Sequence, residues 1–123
     1  MEHSDLTGII VDEAFQLHKD LSPGLLESVY SKWITHRLQK RGLKVEREKK
    51  VVFWYEGMRF DEGLRIDLLV NGEVVVELKS VEVLPAVAYK QTLTYLRLTN
   101  RKVGLLINFG APLFKQGVKR IVN

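Results

Sequence analysis

The chain has 123 residues, 46% of them hydrophobic and 28% charged, with a formal net charge of +4 and no cysteine. This composition excludes a disordered chain, disulfides, thiolate metal sites and cysteine nucleophiles, and the length predicts one globular domain over residues 1–123. No apolar run reaches membrane-spanning length and the first residues lack a signal-peptide pattern, so we expect a cytoplasmic protein that does not bind a membrane.

The first third of the chain predicts two amphipathic helices. Residues 5–18 place apolar side chains at helical spacing, with Ser4 as the N-cap. The second helix is expected to begin with Ser22 as its N-cap and to run to position 40. Glu27 and Tyr30 are three positions apart and are therefore neighbours on its surface. The helix dipole alone favours a glutamate near the first turn, so its position does not by itself make Glu27 catalytic.

A cluster of basic residues follows, opposed only by Glu46 and Glu48. Such a cluster favours binding to a polyanion such as nucleic acid, but many soluble proteins carry a solvated basic face that binds nothing. The cluster is therefore supporting evidence alone. Its members are Arg37, Lys40, Arg41, Lys44, Arg47, Lys49 and Lys50.

Residues 43–55 predict a single strand that is polar and alternating at first and then continuously apolar. Turn signals follow at Glu56-Gly57 and at residues 61–63. Three large aromatic residues are expected in the core, namely Trp33, Phe53 and Trp54.

The second half of the chain predicts strands separated by one helix. Two β-rich runs at 64–70 and 73–80 precede a helix near 85–100. A wholly apolar strand is expected at 103–107, covered on both sides, and a last short strand at 118–122. Together with the earlier elements, this order predicts an α/β fold with a mixed sheet.

Three ionisable residues interrupt the two β-rich runs, Asp67 in the first and Glu77 and Lys79 in the second. Burial of a charge is costly unless the group is paired or binds a cation. The alternative is an exposed strand face, on which Glu77 and Lys79 form a salt bridge of little energetic value. The three histidines do not have the spacing of metal ligands.

The loop at Asn71-Gly72 decides whether Asp67 and Glu77 can act together. A two-residue turn would place their side chains on opposite faces of the sheet. A three-residue loop over 70–72, with Gly72 as a G1 bulge, would pair Asp67 with Val75 and make the two carboxylates diagonal neighbours on one face. We predict the three-residue loop, which would let the carboxylates share a cation.

The chain resembles the GxxExxY proteins, and through them the PD-(D/E)xK nuclease superfamily. The motif that names the first group matches Gly24 to Tyr30, and the likeness continues through RIDLLV, VVVELKS, QTLTYLRLT and GLLINFG, over about residues 7–122. The resemblance implies a restriction-endonuclease-like αβββαβ core, with a mixed sheet flanked by helices.

The resemblance also assigns roles to individual residues. Asp67 corresponds to the motif aspartate, and residues 77–79 correspond to the (D/E)xK triplet. Gln91 and Tyr95, which share one face of the third helix, match the QxxxY motif of some exonuclease branches. Glu27 matches the helical glutamate. The sequence departs from the pattern in having Ile66 in place of proline before the aspartate, and no histidine just before the glutamine.

A metal site follows from these roles. The resemblance implies Mg²⁺ or Mn²⁺ bound by Asp67, Glu77 and the backbone carbonyl of Leu78, because hard cations prefer oxygen ligands. Glu27 would hold a metal-bound water or a second cation.

The other matched residues would act on water, phosphate or substrate. Lys79 would orient the attacking water or neutralise developing charge, and Gln91 would position water or phosphate. Tyr95 would brace the site or touch the substrate. Ordinary alternatives exist for the last two, since a helix often carries a glutamine at a polar position and a tyrosine in the core.

Two functions are therefore expected from the sequence. The first is a metal-dependent nuclease acting on DNA, in preference to RNA. The second is a catalytically degenerate member that binds nucleic acid or a protein partner without cutting it. A homodimer is expected by analogy, because small members of the superfamily often dimerise to build a duplex-sized surface.

Overall fold

Seven strands and three α-helices make up the fold in a computed structural model that describes residues 3–123. The strands are β1 (Val45–Lys50), β2 (Phe53–Tyr55), β3 (Met58–Phe60), β4 (Arg65–Val70), β5 (Val74–Lys79), β6 (Val103–Asn108) and β7 (Val118–Val122). The helices are α1 (His3–Leu21), α2 (Glu27–Lys40), α3 (Ala86–Leu98) and a 3-10 turn at Phe114–Gln116. Five of the strands form the central sheet in the order β1-β4-β5-β6-β7. Only β5 and β6 are parallel in it, so the sheet is mixed and the predicted α/β fold is confirmed.

Helices cover both faces of this sheet. Helices α1 and α2 pack on one face, against alternate residues of β4 and β5 such as Leu68 and Val76. Helix α3 packs on the other face, against the residues between them, such as Leu69 and Val75. With the β2–β3 hairpin set aside, the order from α2 to β6 is αβββαβ, as the resemblance implied.

The helix starts differ from the sequence-based predictions. Helix α1 begins by His3, so Ser4 lies inside it and is not its N-cap. Helix α2 begins at Glu27 and not at Ser22, because Ser22 (φ 62°) and Gly24 (φ 116°) adopt left-handed backbone conformations that cannot continue into a helix. Glu27 is thereby the first helical residue. Among residues 3–123, no helix is long and apolar enough to cross a membrane.

The strand predicted over 43–55 is two strands, and the second one leaves the main sheet. Strand β2 pairs only with β3, in a separate hairpin that turns at Glu56 and Gly57 as predicted. The core assignment of Trp33 and Trp54 is wrong, because 50% and 68% of their surfaces are exposed. Phe53 is half-buried and packs at the edge of the core.

The β4–β5 connection has three residues, as predicted, but these are 71–73 instead of 70–72. Val70 pairs with Val74 and Leu69 with Val75, which shifts the register by two residues from the prediction. Asn71 (φ 53°) and Gly72 (φ 67°) form the turn, and Glu73 donates its N–H to the Val70 carbonyl. Continuing this register places Asp67 opposite Glu77, and the two side chains stay on one face because the loop length is odd.

Candidate active site

Asp67 and Glu77 meet where β4 and β5 separate. The backbone N–H of Asp67 donates to Glu77 Oε2 (3.4 Å), and Asp67 Oδ2 accepts the N–H of Leu78 (2.7 Å). The aspartate side chain thus takes the place of a main-chain acceptor at this point of the sheet. Each of the two carboxyl groups therefore accepts a backbone N–H from the neighbouring strand.

Glu77 is 6% exposed, and its Oε1 atom is buried without a hydrogen-bond partner in the described part of the chain. Burial raises the pKa of Glu77 to about 9, and the neighbouring Asp67 carboxylate adds to the rise. An ionised Glu77 is therefore unfavourable at neutral pH unless a positive group reaches it. This observation argues against the exposed salt-bridge alternative for Glu77.

Lys79, two residues along the same strand, is half-buried, and its charge lowers the pKa of Glu77 by less than burial raises it. It therefore reaches the carboxyl pair electrostatically but does not neutralise it. The role predicted for Lys79, next to Glu77 and facing the same way, is compatible with this position.

Gln91 and Tyr95 lie together on α3, on the side of the sheet that Glu77 faces. Gln91 Nε2 donates to the Tyr95 hydroxyl (3.1 Å), and Tyr95 is 6% exposed. Burial raises the pKa of Tyr95, and the charges of Glu77 and Asp67 raise it further, so the hydroxyl stays protonated close to the carboxyl pair. The two residues of the QxxxY motif therefore lie close to the carboxyl pair.

Glu27 approaches the carboxyl pair from the opposite side of the sheet. A cleft of about 230 Å³ lies between α2 and the ends of β1, β4 and β5. The cleft is lined by Glu27, Ser28, Ser31, Arg47, Glu48, Asp67 and Leu78. Its acidic groups come from three separate segments of the chain, which only the folded sheet and helix bring together.

Tyr30 holds the loop in front of Glu27. Its hydroxyl donates to the Ser22 carbonyl and accepts the N–H of Leu25 (3.2 Å), while its ring stacks on Phe109 at 4.4 Å. The Leu25 carbonyl in turn accepts the hydroxyl of Ser80, which follows Lys79. Tyr30 therefore stabilises the loop that contains Gly24 and precedes the first residue of α2.

Arg47 is a cleft residue that the sequence pattern marked only as a member of the basic cluster. It pairs with Leu68 across β1 and β4, next to Asp67, and its Nε donates to Ser31 Oγ (3.4 Å). The adjacent Glu48 has a positive φ of 50°, which interrupts the regular strand beside the cleft. The basic cluster of the sequence contained Arg47, but only the long-range pairing of β1 with β4 places it at the site.

Much of that basic cluster is engaged in ion pairs. Arg37 and Arg41 both bind Glu13 on α1, each at 2.7 Å. Lys44 and Lys49 both contact Glu46, at 3.6 and 2.8 Å. The cluster is therefore not one free basic surface, and part of it ties α1 to α2.

The oxygen-rich donor set fits a hard divalent cation. The carboxyl groups of Asp67 and Glu77 converge, and within residues 3–123 the buried Oε1 atom of Glu77 has no hydrogen-bond partner. Leu78 lines the cleft beside Asp67. Across residues 3–123, no three His, Asp or Glu side chains form a cluster that could hold a metal. Any cation here would therefore rest on two carboxylates, with backbone or water oxygens completing its ligands.

Comparison with known proteins gives one match. A family model of the PD-(D/E)XK nuclease superfamily matches residues 4–121, nearly the whole chain. No curated protein and no solved structure gives a significant match.

Proposed function

Because the chain belongs to the PD-(D/E)XK nuclease superfamily, we propose that it is a metal-dependent nuclease that hydrolyses phosphodiester bonds in DNA. The observation that carries this proposal is the buried oxygen of Glu77 beside Asp67, which has no hydrogen-bond partner in the part of the chain that the structure describes. A buried carboxyl pair of this kind is costly for a protein that does not use it.

Asp67, Glu77 and the Leu78 carbonyl would hold Mg²⁺ or Mn²⁺, and Glu27 would bind a water or a second cation across the cleft. When bound, the cation supplies positive charge for the scissile phosphate and makes a nearby water more acidic. Asp67 is already held in place by the Leu78 N–H, so its carboxylate needs little reordering to bind.

Three further residues, close to Asp67 and Glu77, would assist the reaction. Lys79 stabilises negative charge that develops on the phosphate or orients the attacking water. Gln91 positions water or phosphate, and its bond to Tyr95 keeps the amide oriented. Tyr95 braces this arrangement from α3, because its hydroxyl stays protonated and can serve as a hydrogen-bond donor or acceptor.

Arg47 adds a cation at the edge of the cleft. Its guanidinium contacts Ser31 and lies in the same cleft as Asp67. Arginine recognises phosphate oxygens through a planar set of donors, so Arg47 is suited to hold a substrate phosphate near the carboxyl pair. The proposal includes DNA in preference to RNA, and a homodimer that would extend this small cleft into a duplex-sized surface.

Calorimetric titration of Mn²⁺, with cleavage of labelled linear and branched DNA by the same samples, tests the proposal. Wild-type protein is expected to bind Mn²⁺ and cut DNA only when the metal is present. Glu77→Gln is expected to lose both properties, whereas Glu62→Gln, an exposed carboxylate in the turn after the β2–β3 hairpin, keeps both.

The other outcomes separate the two functions expected from the sequence. Metal binding without cleavage of any DNA or RNA would overturn the nuclease and favour the degenerate binding protein. Absence of metal binding would overturn both the metal site and the reaction. Cleavage of RNA alone would correct the substrate.

A further inference from the structure

The face of α2 that points away from the sheet carries two parallel rows of residues. Neighbours within a row are four positions apart, which corresponds to a rise of about 6 Å along the helix. All the residues in both rows are cationic or aromatic. The first row is Lys32, His36 and Lys40, and the second is Trp33, Arg37 and Arg41.

Trp33 stands at the centre of this surface, with half of its area exposed. Its ring meets the His36 ring edge-on at 5.7 Å, which leaves much of the indole open to solvent. Two shallow hollows of about 450 and 350 Å³ adjoin it. The first also touches Arg37, Lys40 and Arg41, and the second touches Lys32. An exposed indole bordered by cations is the arrangement that nucleobases and phosphates bind together.

Glu13 on α1 keeps the second row in place. Its carboxylate is buried under the surface, with one oxygen bound to Arg37 and the other to Arg41. Two guanidinium groups are thus oriented by a single negative charge. The exposed carboxylate nearby is Asp12, 3.8 Å from Arg41, so positive charge remains in excess over this surface.

We propose that this surface, the outer face of α2, binds a single-stranded segment of the DNA substrate. One unpaired base stacks on Trp33, and the adjoining phosphates contact Lys32, Lys40 and the two arginines. The occupant is single-stranded because a base in a duplex is already stacked on both sides and cannot cover the indole. The proposal rests on the nuclease function, and it names the part of the substrate that lies outside the cleft.

The position of the surface fits this role. Helix α2 begins at Glu27 in the cleft, and Trp33 lies six residues further, about 9 Å along the helix axis. The cleft and the surface therefore share one helix. The β2–β3 hairpin also exposes a tryptophan, Trp54, but its neighbour Arg59 is paired with Asp61, so it lacks the excess of positive charge.

The chain has two tryptophans, one on each of these surfaces, so fluorescence can locate a bound strand. Trp54→Phe leaves Trp33 as the single reporter, and Trp33→Phe leaves Trp54. With single-stranded dT20 as the probe and without metal, Trp33 fluorescence is expected to fall by at least half and Trp54 fluorescence to stay unchanged. A duplex of the same length is expected to bind at least tenfold more weakly.

Charge variants test the phosphate contacts. Lys32→Ala combined with Lys40→Ala is expected to weaken dT20 binding at least tenfold and to reduce the slope of log affinity against log salt by about 1.4, as expected for two lost contacts on a single strand. Lys102→Ala combined with Lys119→Ala, exposed lysines near the other edge of the sheet, is the matched control and is expected to change neither value.

Four outcomes would each overturn the proposal. Two concern fluorescence, namely quenching of Trp54 alone and no quenching at all. The other two are an equal loss of binding in both lysine pairs and tighter binding of rU20 than of dT20. Asp67→Asn separates it from the nuclease function. If Asp67→Asn abolishes cleavage and keeps Trp33 quenching, the surface acts independently of the reaction. If wild-type protein cuts DNA but Trp33 is not quenched, the surface proposal fails and the nuclease stands.

Discussion

Two buried glutamates, Glu13 and Glu77, are each 6% exposed and yet have opposite electrostatic environments. Glu13 lies between α1 and α2 with both carboxylate oxygens bound by arginines at 2.7 Å. Glu77 lies on β5 beside the carboxyl group of Asp67, and its Oε1 atom has no hydrogen-bond partner within residues 3–123. Two glutamates with the same exposed fraction thus differ, since both oxygens of Glu13 accept hydrogen bonds and only one oxygen of Glu77 does so among the described residues.

Their pKa values move in opposite directions. Burial by itself would raise the pKa of Glu13, but the hydrogen bonds from Arg41 and Arg37 outweigh it and lower the pKa. Burial raises the pKa of Glu77 to about 9, with Asp67 adding to the rise. Glu13 is thus a carboxylate that joins two helices, whereas Glu77 is available for a cation.

The largest effect is expected from Glu77→Gln on DNA cleavage. The change keeps the shape of the side chain but removes the negative charge that a cation needs, so kcat is expected to fall at least about 100-fold. Steady-state cleavage with Mg²⁺ and with Mn²⁺ measures it. Glu62→Gln serves as the control, and a Glu77→Gln protein with wild-type kcat would show that Glu77 does not take part in the reaction.

The second largest effect is expected on the free energy of unfolding, from a substitution of Glu13. Glu13→Gln leaves Arg37 and Arg41 without their shared carboxylate between α1 and α2, and it is expected to lower the free energy of unfolding by about 2 kcal/mol. Urea denaturation at pH 7 measures this loss. The matched control is Asp12→Asn, an exposed neighbour with one long contact to Arg41, for which a change below about 0.5 kcal/mol is expected. Equal effects of the two changes would remove the structural role of Glu13.

The two glutamates are expected to change the free energy of unfolding with pH in opposite directions. Between pH 4.5 and about 9, the folded state holds a proton on Glu77 that the unfolded state has lost, so the free energy of unfolding falls as pH rises. The contribution of Glu13 behaves in the opposite way, since it is complete above pH 4.5 and is lost as pH falls below that value. Between pH 6 and 8.5 the slope therefore reports on Glu77, at up to about 1.4 kcal/mol per pH unit.

Glu77→Gln is expected to flatten this slope and to raise the free energy of unfolding by about 1–2 kcal/mol at pH 8 without metal. Addition of Mn²⁺ is expected to raise the Tm of the wild-type protein and to leave that of Glu77→Gln unchanged. Urea denaturation at pH 6 and 8.5 and thermal unfolding with and without Mn²⁺ measure these effects. A wild-type slope that survives in Glu77→Gln would contradict the assignment of the raised pKa to this residue.

The smallest stability effect is expected at the loop before Glu27. Tyr30→Phe removes a hydroxyl that bonds to Ser22 and Leu25, and it is expected to cost about 1 kcal/mol of unfolding free energy. Because the loop sets the start of α2, kcat for DNA cleavage is expected to fall about tenfold with KM unchanged. The matched control is Tyr89→Phe on the exposed side of α3, and equal kcat values for both variants would contradict a positioning role for Tyr30.

Local sequence patterns predicted most of the elements near the site. The third helix, the wholly apolar β6 and the odd-length connection between β4 and β5 all follow from side-chain periodicity or turn residues. Even so, the observed pairing of β4 with β5 differs from the predicted register by two residues. The side-chain oxygen of Asn71 accepts the N–H of Lys44, and the backbone N–H of Asn71 donates to the Lys44 carbonyl. Local sequence patterns do not predict this contact with the residue just before β1.

The start of α2 shows the same limit. Ser22 and Pro23 are a valid local start signal, but the folded chain holds Ser22 and Gly24 in left-handed conformations, which the hydroxyl of Tyr30 stabilises from within the helix. Side-chain periodicity also could not predict that Trp33 and Trp54 are exposed. A hydrophobic side chain is buried only where another element of the fold covers it.

The sequence by itself determined the α/β order, the three motif segments and the common face of Asp67 and Glu77, because each depends on residues a few positions apart or on alternation along a strand. Only the tertiary structure decided that Glu13 would be paired and Glu77 would not. The partners of Glu13 lie 24 and 28 residues away on another helix, and the neighbour of Glu77 lies across a strand pair. The energy of a buried charge depends on every group that folding brings within a few ångströms. The spacing of residues along a helix or strand does not predict which distant groups those will be.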